Sequence, residues 1–141
     1  IGSSAMIGIP DDENLMEEDV LPGWATAISG VLNHHAPLAL YEYDFGDSWL
    51  HEIRFEDVFE RPASKRYPKC VAGARHCPPE DCGGPRGYQR FLWQIADPAD
   101  EEHDAVLDWV GGEFDPEEFR AAAIKFQNPA KRLKALFADM S

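Results

Sequence analysis

The chain has 141 residues, the size of one domain, and 44% of them are hydrophobic, which excludes a wholly disordered protein. Its formal net charge is −13, from 26 acidic and 13 basic residues, and this field disfavours binding to nucleic acid or anionic lipid. Since neither a secretory signal nor an apolar run of about 18 residues occurs, we expect a soluble, cytoplasmic single domain over residues 1–141 without a membrane partner.

The amino-terminal part is predicted to contain a strand, a loop and a helix. Residues 1–9 are small and apolar enough for a strand, and residues 10–21 form an acidic loop. Apolar residues then recur at helical spacing from Trp24 to Leu32, before Pro37. A short helix is therefore predicted over residues 23–34.

Residues 38–58 have the pattern of a β-hairpin. Alternation on both sides of Gly46-Asp47-Ser48 indicates two strands with one buried face. A three-residue loop would place Tyr43 opposite His51.

Residues 62–85 form a Pro/Gly/Cys-rich loop. It is longer than the roughly 12–15 residues above which loops without regular structure become uncommon and are often functional. This loop is the second place where a site is expected.

The carboxy-terminal part is predicted to be helical. Tyr88, Phe91, Leu92 and Ile95 form an apolar stripe. An Asp or Asn followed by proline, typical of a helix start, occurs at Asp97-Pro98, Asp115-Pro116 and Asn128-Pro129. We therefore expect an α+β fold, in which an antiparallel or mixed sheet containing the 38–58 hairpin is packed by the C-terminal helices.

The hairpin supplies the first group of candidate site residues, Asp44, Asp47, Trp49 and His51. Asp47 has a local explanation, because an aspartate in a turn bonds nearby backbone amides. Asp44 is expected within a strand, where turn chemistry does not require a carboxylate. His51 is either a core histidine with a satisfied hydrogen bond or a ligand and acid/base group.

Glu80 and Asp81 form the second group, between Pro78-Pro79 and Gly83-Gly84. One of these acids could cap the helix that begins near Pro85, or both could be ligands. If they converge with Asp44, they could hold Mg²⁺ or Mn²⁺ or act as an acid/base pair.

Three cysteines lie close together along the chain, at Cys70, Cys77 and Cys82. With His51 or His76 they could form a tetrahedral zinc site, although the first gap, of six residues, exceeds the usual spacing. The alternative is that they are small buried hydrophobic residues.

The sequence leaves three functions open. The first is a small binding or interaction module, whose acidic, aromatic-rich rim receives a protein partner or a small cationic ligand. The second is a metal-dependent hydrolase using the acids and His51, and the third is a structural zinc loop. Zinc or another divalent cation is the cofactor that the last two would require. No glycine fingerprint, Walker loop, Gly-x-Ser-x-Gly elbow or His-Glu-x-x-His motif indicates an enzyme class.

Several motifs together resemble the Ri-plasmid ORF-three-like family. They are YEYDFGDSWLHEI at 41–53, YPKC at 67–70, CPPEDCGG at 77–84, Gly87-Tyr88 and FDPE at 114–117, and the resemblance runs from about Ile1 to about Leu133. It implies an α+β domain found on plasmids and in bacterial and archaeal genomes, without an established activity. Members typically carry a further strand and helix upstream, so the resemblance implies a family domain that lacks its amino-terminal part.

Overall fold

The computed structural model describes residues 6–8 and 20–139. The chain divides into two compact units, the first made of residues 1–39, 52–60 and 127–141 and the second of residues 40–51 and 61–126. The α+β class is confirmed: two two-stranded sheets and four α-helices are found in the described ranges. The elements are β1 (Met6–Gly8), β2 (Val20–Pro22), α1 (Ile28–Val31), β3 (Leu38–Tyr43), β4 (Trp49–Arg54), α2 (Gly84–Ala96), α3 (His103–Trp109), a 3-10 turn (Ala121–Ala123) and α4 (Pro129–Asp139). None of the helices within these ranges is long and apolar enough to cross a membrane.

The first unit begins with the parallel pair β1 and β2. Met6 pairs with Val20, and Gly8 pairs with Pro22. The predicted strand over 1–9 is thus found at Met6–Gly8, and its other residues lie outside the described ranges. The predicted acidic loop over 10–21 lies outside them as far as residue 19, whereas Val20 and Leu21 belong to β2.

The helix predicted over 23–34 is wrong in extent, because α1 covers Ile28–Val31 alone. Ala27 is extended before it, and Leu32 is extended after it. Asn33 closes the helix, since its side-chain oxygen accepts from the backbone N–H groups of His35 and Ala36. Of the apolar residues in this spacing Leu32 alone is buried, whereas Trp24 and Ile28 are exposed, so the spacing does not mark one buried helix face.

The helix start predicted at Asn128-Pro129 is confirmed by α4. The Asn128 Oδ1 atom accepts from the Lys131 N–H at 3.1 Å, and the Asn128 carbonyl accepts from the Arg132 N–H at 3.0 Å. These two bonds are those of an N-cap residue.

The predicted hairpin is confirmed as β3 and β4, but its loop and register differ from the prediction. The loop comprises residues 44–48 rather than three residues. Tyr41, not Tyr43, has its ring beside His51, with 5.8 Å between centroids. The Phe55 N–H donates to the Pro37 carbonyl at 2.8 Å, which fits the same antiparallel register.

The hairpin was expected to have one buried face, and this is wrong for the described residues. Tyr41, Tyr43 and Ile53 on one face are exposed, as are Leu40 and Leu50 on the other. Trp49 is the half-buried residue of β4, and it reaches helix α2 through Tyr88, with 6.2 Å between ring centroids.

The core of the second unit is centred on Phe91, which is 4% exposed. Its ring contacts Tyr88 within α2, Trp109 at the end of α3 and Phe114 beyond it, at centroid distances of 6.1, 6.0 and 5.0 Å. The apolar stripe predicted from Tyr88 to Ile95 is confirmed as the face of α2 that forms this core. Aromatic contacts of this kind fix the relative position of α2, α3 and the segment after them.

Two predicted helix starts are wrong. Asp97 ends α2, and its carboxylate accepts from the Ala99 N–H at 2.9 Å, so a turn precedes α3. After Asp115 the structure forms a turn and no α-helix, because the Pro116 carbonyl accepts from the His76 N–H at 2.9 Å. In an α-helix that carbonyl would accept from the N–H of residue 120.

Candidate functional site

The tip of the hairpin is held by Asp44, which lies in the loop and not in a strand as expected. Its Oδ1 atom accepts from the Gly46 N–H at 2.9 Å and from the Asp47 N–H at 3.3 Å. Asp44 also has a positive φ of 56°, which aspartate tolerates better than most residues. The Asp44 carboxylate therefore has the local turn role that the sequence analysis assigned to Asp47.

Asp47 instead binds the loop that follows the cysteines. Its Oδ2 atom accepts from the Gly83 N–H at 3.2 Å, across 36 residues of sequence. Gly83 precedes α2 as its N-cap residue, and no side chain caps that helix. The acid beside this helix start thus comes from the hairpin, and the expectation that Glu80 or Asp81 caps the helix is wrong.

Gly84 lets the hairpin approach the loop closely. It has a φ of 67°, and a Cβ atom on it would overlap the carbonyl oxygen of Asp47. Only glycine suits both the left-handed conformation and this approach. The Gly83-Gly84 pair is the sequence signal from which this contact could have been inferred.

Glu80 is joined to the hairpin by Tyr43, a residue that the sequence analysis did not include among the site residues. The Tyr43 hydroxyl lies 3.1 Å from both carboxylate oxygens of Glu80 and donates to them. This hydrogen bond and the negative charge of Glu80 raise the pKa of the Tyr43 phenol. The signal available in the sequence was the alternation that puts Tyr41 and Tyr43 on one strand face.

The remaining predicted residues have different surroundings. Asp81 is exposed, with a φ of 56°. His51 is exposed rather than in the core, and its Nδ1 atom lies 3.1 Å from the Trp49 carbonyl, to which it can donate. This hydrogen bond to a backbone carbonyl is the one expected of a histidine without a ligand or acid/base role, although the side chain is not in the core. The ring of His51 lies beside that of Tyr41.

The three cysteines are free thiols. Cys70 and Cys82 are half-buried, with their Sγ atoms 3.6 and 3.9 Å from the carbonyl oxygens of Ala72 and Gly84. Burial, followed by the charge of Asp47, raises the pKa of the Cys82 thiol. Within residues 6–8 and 20–139, no three His, Cys, Asp or Glu side chains are grouped so that they could hold a metal ion.

The structure therefore brings together the first and second groups of candidate residues, those of the hairpin and those of the loop at Glu80 and Asp81. Asp47 and Glu80 each link the hairpin to the loop, while Trp49 contacts α2 through Tyr88. Asp44 shapes the turn, and Asp81 is presented on the loop beside Glu80. We call this surface the hairpin rim, and it consists of Tyr41, Tyr43, Asp44, Phe45, Asp47, Glu80 and Asp81.

Comparison with known proteins gives matches over most of the chain. The family model described as plasmid pRiA4b ORF-3-like protein matches residues 3–123. An uncharacterized protein of Sinorhizobium fredii, y4hQ, is 36% identical over 131 residues, which are 93% of this chain and 64% of that protein. The crystal structure of MM3350, a protein of unknown function from Methanosarcina mazei, is similar with a TM-score of 0.76 and 34% identity, over 85% of this chain and 64% of that one.

The chain thus spans just under two thirds of the length of each of these two relatives. The family match covers all the motifs on which the resemblance was based, from the hairpin to Phe114-Asp115-Pro116-Glu117. The chain belongs to the plasmid pRiA4b ORF-3-like family.

Proposed function

We propose that this protein is a binding module that recognises a lysine- and arginine-rich segment of a partner protein at the hairpin rim. The observation that carries the proposal is the pair of links from the hairpin to the loop, Tyr43 to Glu80 and Gly83 to Asp47. Through these links, acids from two distant parts of the sequence form one acidic surface.

The charge of the rim favours a cationic partner. It carries four carboxylates, those of Asp44, Asp47, Glu80 and Asp81. The raised pKa of Tyr43, caused first by Glu80 and with a smaller contribution from Asp44, is a second sign of negative potential there. Such a field accelerates association with a basic partner and rejects an anionic one.

The aromatic side chains of the rim add a means of recognising cations. Tyr41 is 51% exposed, Tyr43 is 43% exposed and Phe45, at the tip, is 88% exposed. A guanidinium or ammonium group over such a ring gains about 0.5–1 kcal/mol at an exposed site. The ring of Phe45 is thus accessible to a partner at the tip of the hairpin.

The rim is also ordered before any partner arrives. Asp44 accepts two backbone N–H groups, and Asp47 accepts the Gly83 N–H at 3.2 Å. Acids that are already fixed lose less conformational entropy on binding. This favours recognition of a peptide over mere attraction by the net charge.

The test is a titration of labelled Lys/Arg-rich hexapeptide into the protein, followed by fluorescence anisotropy at several salt concentrations. The double variant E80Q/D81N should weaken binding several-fold and reduce its salt dependence. F45A should weaken binding at every salt concentration, because a cation over an aromatic ring is less sensitive to screening.

The matched control is E101Q/E102Q, which removes two charges from the turn before α3 in the same unit. It should leave binding almost unchanged. If it weakens binding as much as E80Q/D81N, the peptide responds to net charge alone and the rim is not the site. Failure of the basic peptide to bind at low salt would also refute the proposal.

A further inference from the structure

A separate cavity of about 510 Å³ lies in the second unit. It is formed by two segments, residues 74–77 and 118–124. The polar and aromatic residues lining it are Arg75, His76, Cys77, Glu118, Phe119 and Arg120. Its volume is within the range of small-molecule sites, which is about 300–1,000 Å³.

The two segments are held together by backbone and packing contacts. The His76 N–H donates to the Pro116 carbonyl at 2.9 Å. Gly73 lies against the ring of Phe119 so closely that a Cβ atom would overlap it. These two contacts hold the walls of the cavity in place.

The two arginines of the cavity, Arg75 and Arg120, form only exposed ion pairs. Arg75 lies 3.5 Å from Glu117, and Arg120 pairs with Glu118. Both arginine side chains are 76% exposed, so these ion pairs contribute little to stability. A guanidinium group in such a pair can exchange its carboxylate for that of a ligand, and it can bind a planar acid group through two N–H donors.

His76 adds a polar group in a fixed orientation. Its Nδ1 atom lies 2.6 Å from the Cys77 carbonyl and must carry the hydrogen in that bond. The ring packs on Phe114 with 4.6 Å between centroids. In the neutral ring Nε2 is then an acceptor, so His76 can receive a donor group of a ligand, whereas the acid group is left to the arginines.

We propose that this cavity binds a small organic anion, with its acid group on Arg75 and Arg120 and its apolar part on Phe119 and Ile124. Each guanidinium group has one exposed carboxylate partner, Glu117 for Arg75 and Glu118 for Arg120, and only Glu118 lines the cavity, so an acid ligand would bind by replacing these weak ion pairs. The apolar side chains favour an organic acid over a bare inorganic ion. This proposal is independent of the function proposed for the hairpin rim.

The test is a titration of the full chain with benzoate, phenyl phosphate, benzamide and inorganic phosphate, monitored by protein NMR at millimolar ligand. Benzoate or phenyl phosphate should shift resonances of residues 74–77 and 118–124, and benzamide and inorganic phosphate should bind more weakly. R75M and R120M should each lower the affinity for the acid about threefold or more, as the loss of an exposed ion pair does. E118Q should raise it, because Arg120 is then released from its partner.

R90M is the control, since Arg90 is an exposed residue of α2 that does not line the cavity. It should not alter the affinity, and circular dichroism should show that every variant is folded. Equal binding of benzoate and benzamide, or of benzoate and inorganic phosphate, would overturn the proposal. So would no binding of either organic acid, or an E118Q variant that binds no more tightly.

Discussion

The hydroxyl group of Tyr43 donates to the carboxylate of Glu80, which lies 37 residues further along the chain. Both residues are exposed, so the bond stands at the surface and is open to solvent. The bond fixes the position of Glu80 beside strand β3, which also carries Tyr41. The bond depends on a protonated phenol, which makes it sensitive to alkaline pH.

The first prediction concerns this pH dependence. The pKa of Tyr43 in the folded protein is raised above the ordinary value of 10.0. The hydrogen bond of Tyr43 to Glu80 therefore stabilises the fold fully below pH 10.0, and this stabilisation is lost as the pH rises through the higher pKa of the folded state. Burial also raises the pKa of the Tyr88 phenol, so two tyrosines ionise late in an alkaline titration followed by phenolate absorbance, and Y43F should lack one of these two late steps. Y41F, on the same strand, should retain both. A Y43F protein with both late steps unaltered would contradict the assignment.

Gly84 is predicted to tolerate no side chain. G84A should be less stable than the parent by more than the roughly 1–2 kcal/mol that a left-handed alanine costs, since its Cβ atom also meets Asp47. G111A is the matched control, because Gly111 has a φ of 88° but its Cβ atom would meet nothing within 4 Å. Urea unfolding of both variants separates the cost of a left-handed alanine from the cost of the contact between its Cβ atom and Asp47. Equal losses would show that the contact with Asp47 is not tight.

Phe91 and Phe45 should differ sharply when each is replaced by alanine. F91A empties the centre of the second unit and should cost about 3–5 kcal/mol in the free energy of unfolding. F45A should change that free energy by less than about 0.5 kcal/mol, because Phe45 is exposed at the hairpin tip. Urea denaturation measures both. A marked loss in F45A would mean that the ring has a structural role.

The cap of α4 is predicted to depend on Asn128. N128A should destabilise this helix by about 1 kcal/mol, as loss of an N-cap side chain does, and should lower the ellipticity of the protein on heating. N128D should retain the cap, because its carboxylate oxygen also accepts from the Lys131 N–H and favours the helix dipole. Loss of helicity in N128D equal to that in N128A would contradict this role.

The cysteines should react with iodoacetamide in a defined order. Cys77 is exposed, whereas Cys82 is half-buried with a raised thiol pKa, so less of Cys82 is thiolate at neutral pH. Mass spectrometry after brief alkylation should find Cys77 modified first, and modification of Cys82 should accelerate at higher pH. Faster reaction at Cys82 would mean that its surroundings are more open than described.

Elements determined by local chemistry were predicted well from the sequence. The N-cap of α4 depends only on Asn128 and the residues next to it. The apolar stripe of α2 depends only on the 3.6-residue period within that helix. The hairpin follows from alternation on each side of a Gly-Asp turn. Each of these depends on residues a few positions apart.

Two of the errors arose where a distant residue took part in a local motif. Asp115-Pro116 has the pattern of a helix start, yet the Pro116 carbonyl is used by His76, about 40 residues earlier. Asp47 looks like a turn residue, but its carboxylate is used by Gly83. Because such partners are chosen by the fold, the spacing of residues along the sequence does not reveal them.

The candidate site was predicted in part. From the sequence, the convergence of the hairpin with the loop before α2 was a condition for a shared site, and the two do meet, through Asp47 and Glu80. The means of contact, a tyrosine hydroxyl and a glycine N–H, could not be foreseen, because neither residue type is limited to sites. The cavity beside Arg75 was missed entirely, since its two segments share no motif.

The contact of Gly84 with Asp47 also bears on how the length of this chain can vary. Residues 55–76 lie before the fixed segment, so insertions among them leave the registration of the hairpin with α2 intact. A single extra residue between Glu80 and Gly84 would break one of two hydrogen bonds, that of Tyr43 to Glu80 or that of Gly83 to Asp47. Natural length differences among relatives should therefore accumulate between residues 55 and 72, because Gly73 packs on Phe119 and the His76 N–H donates to the Pro116 carbonyl.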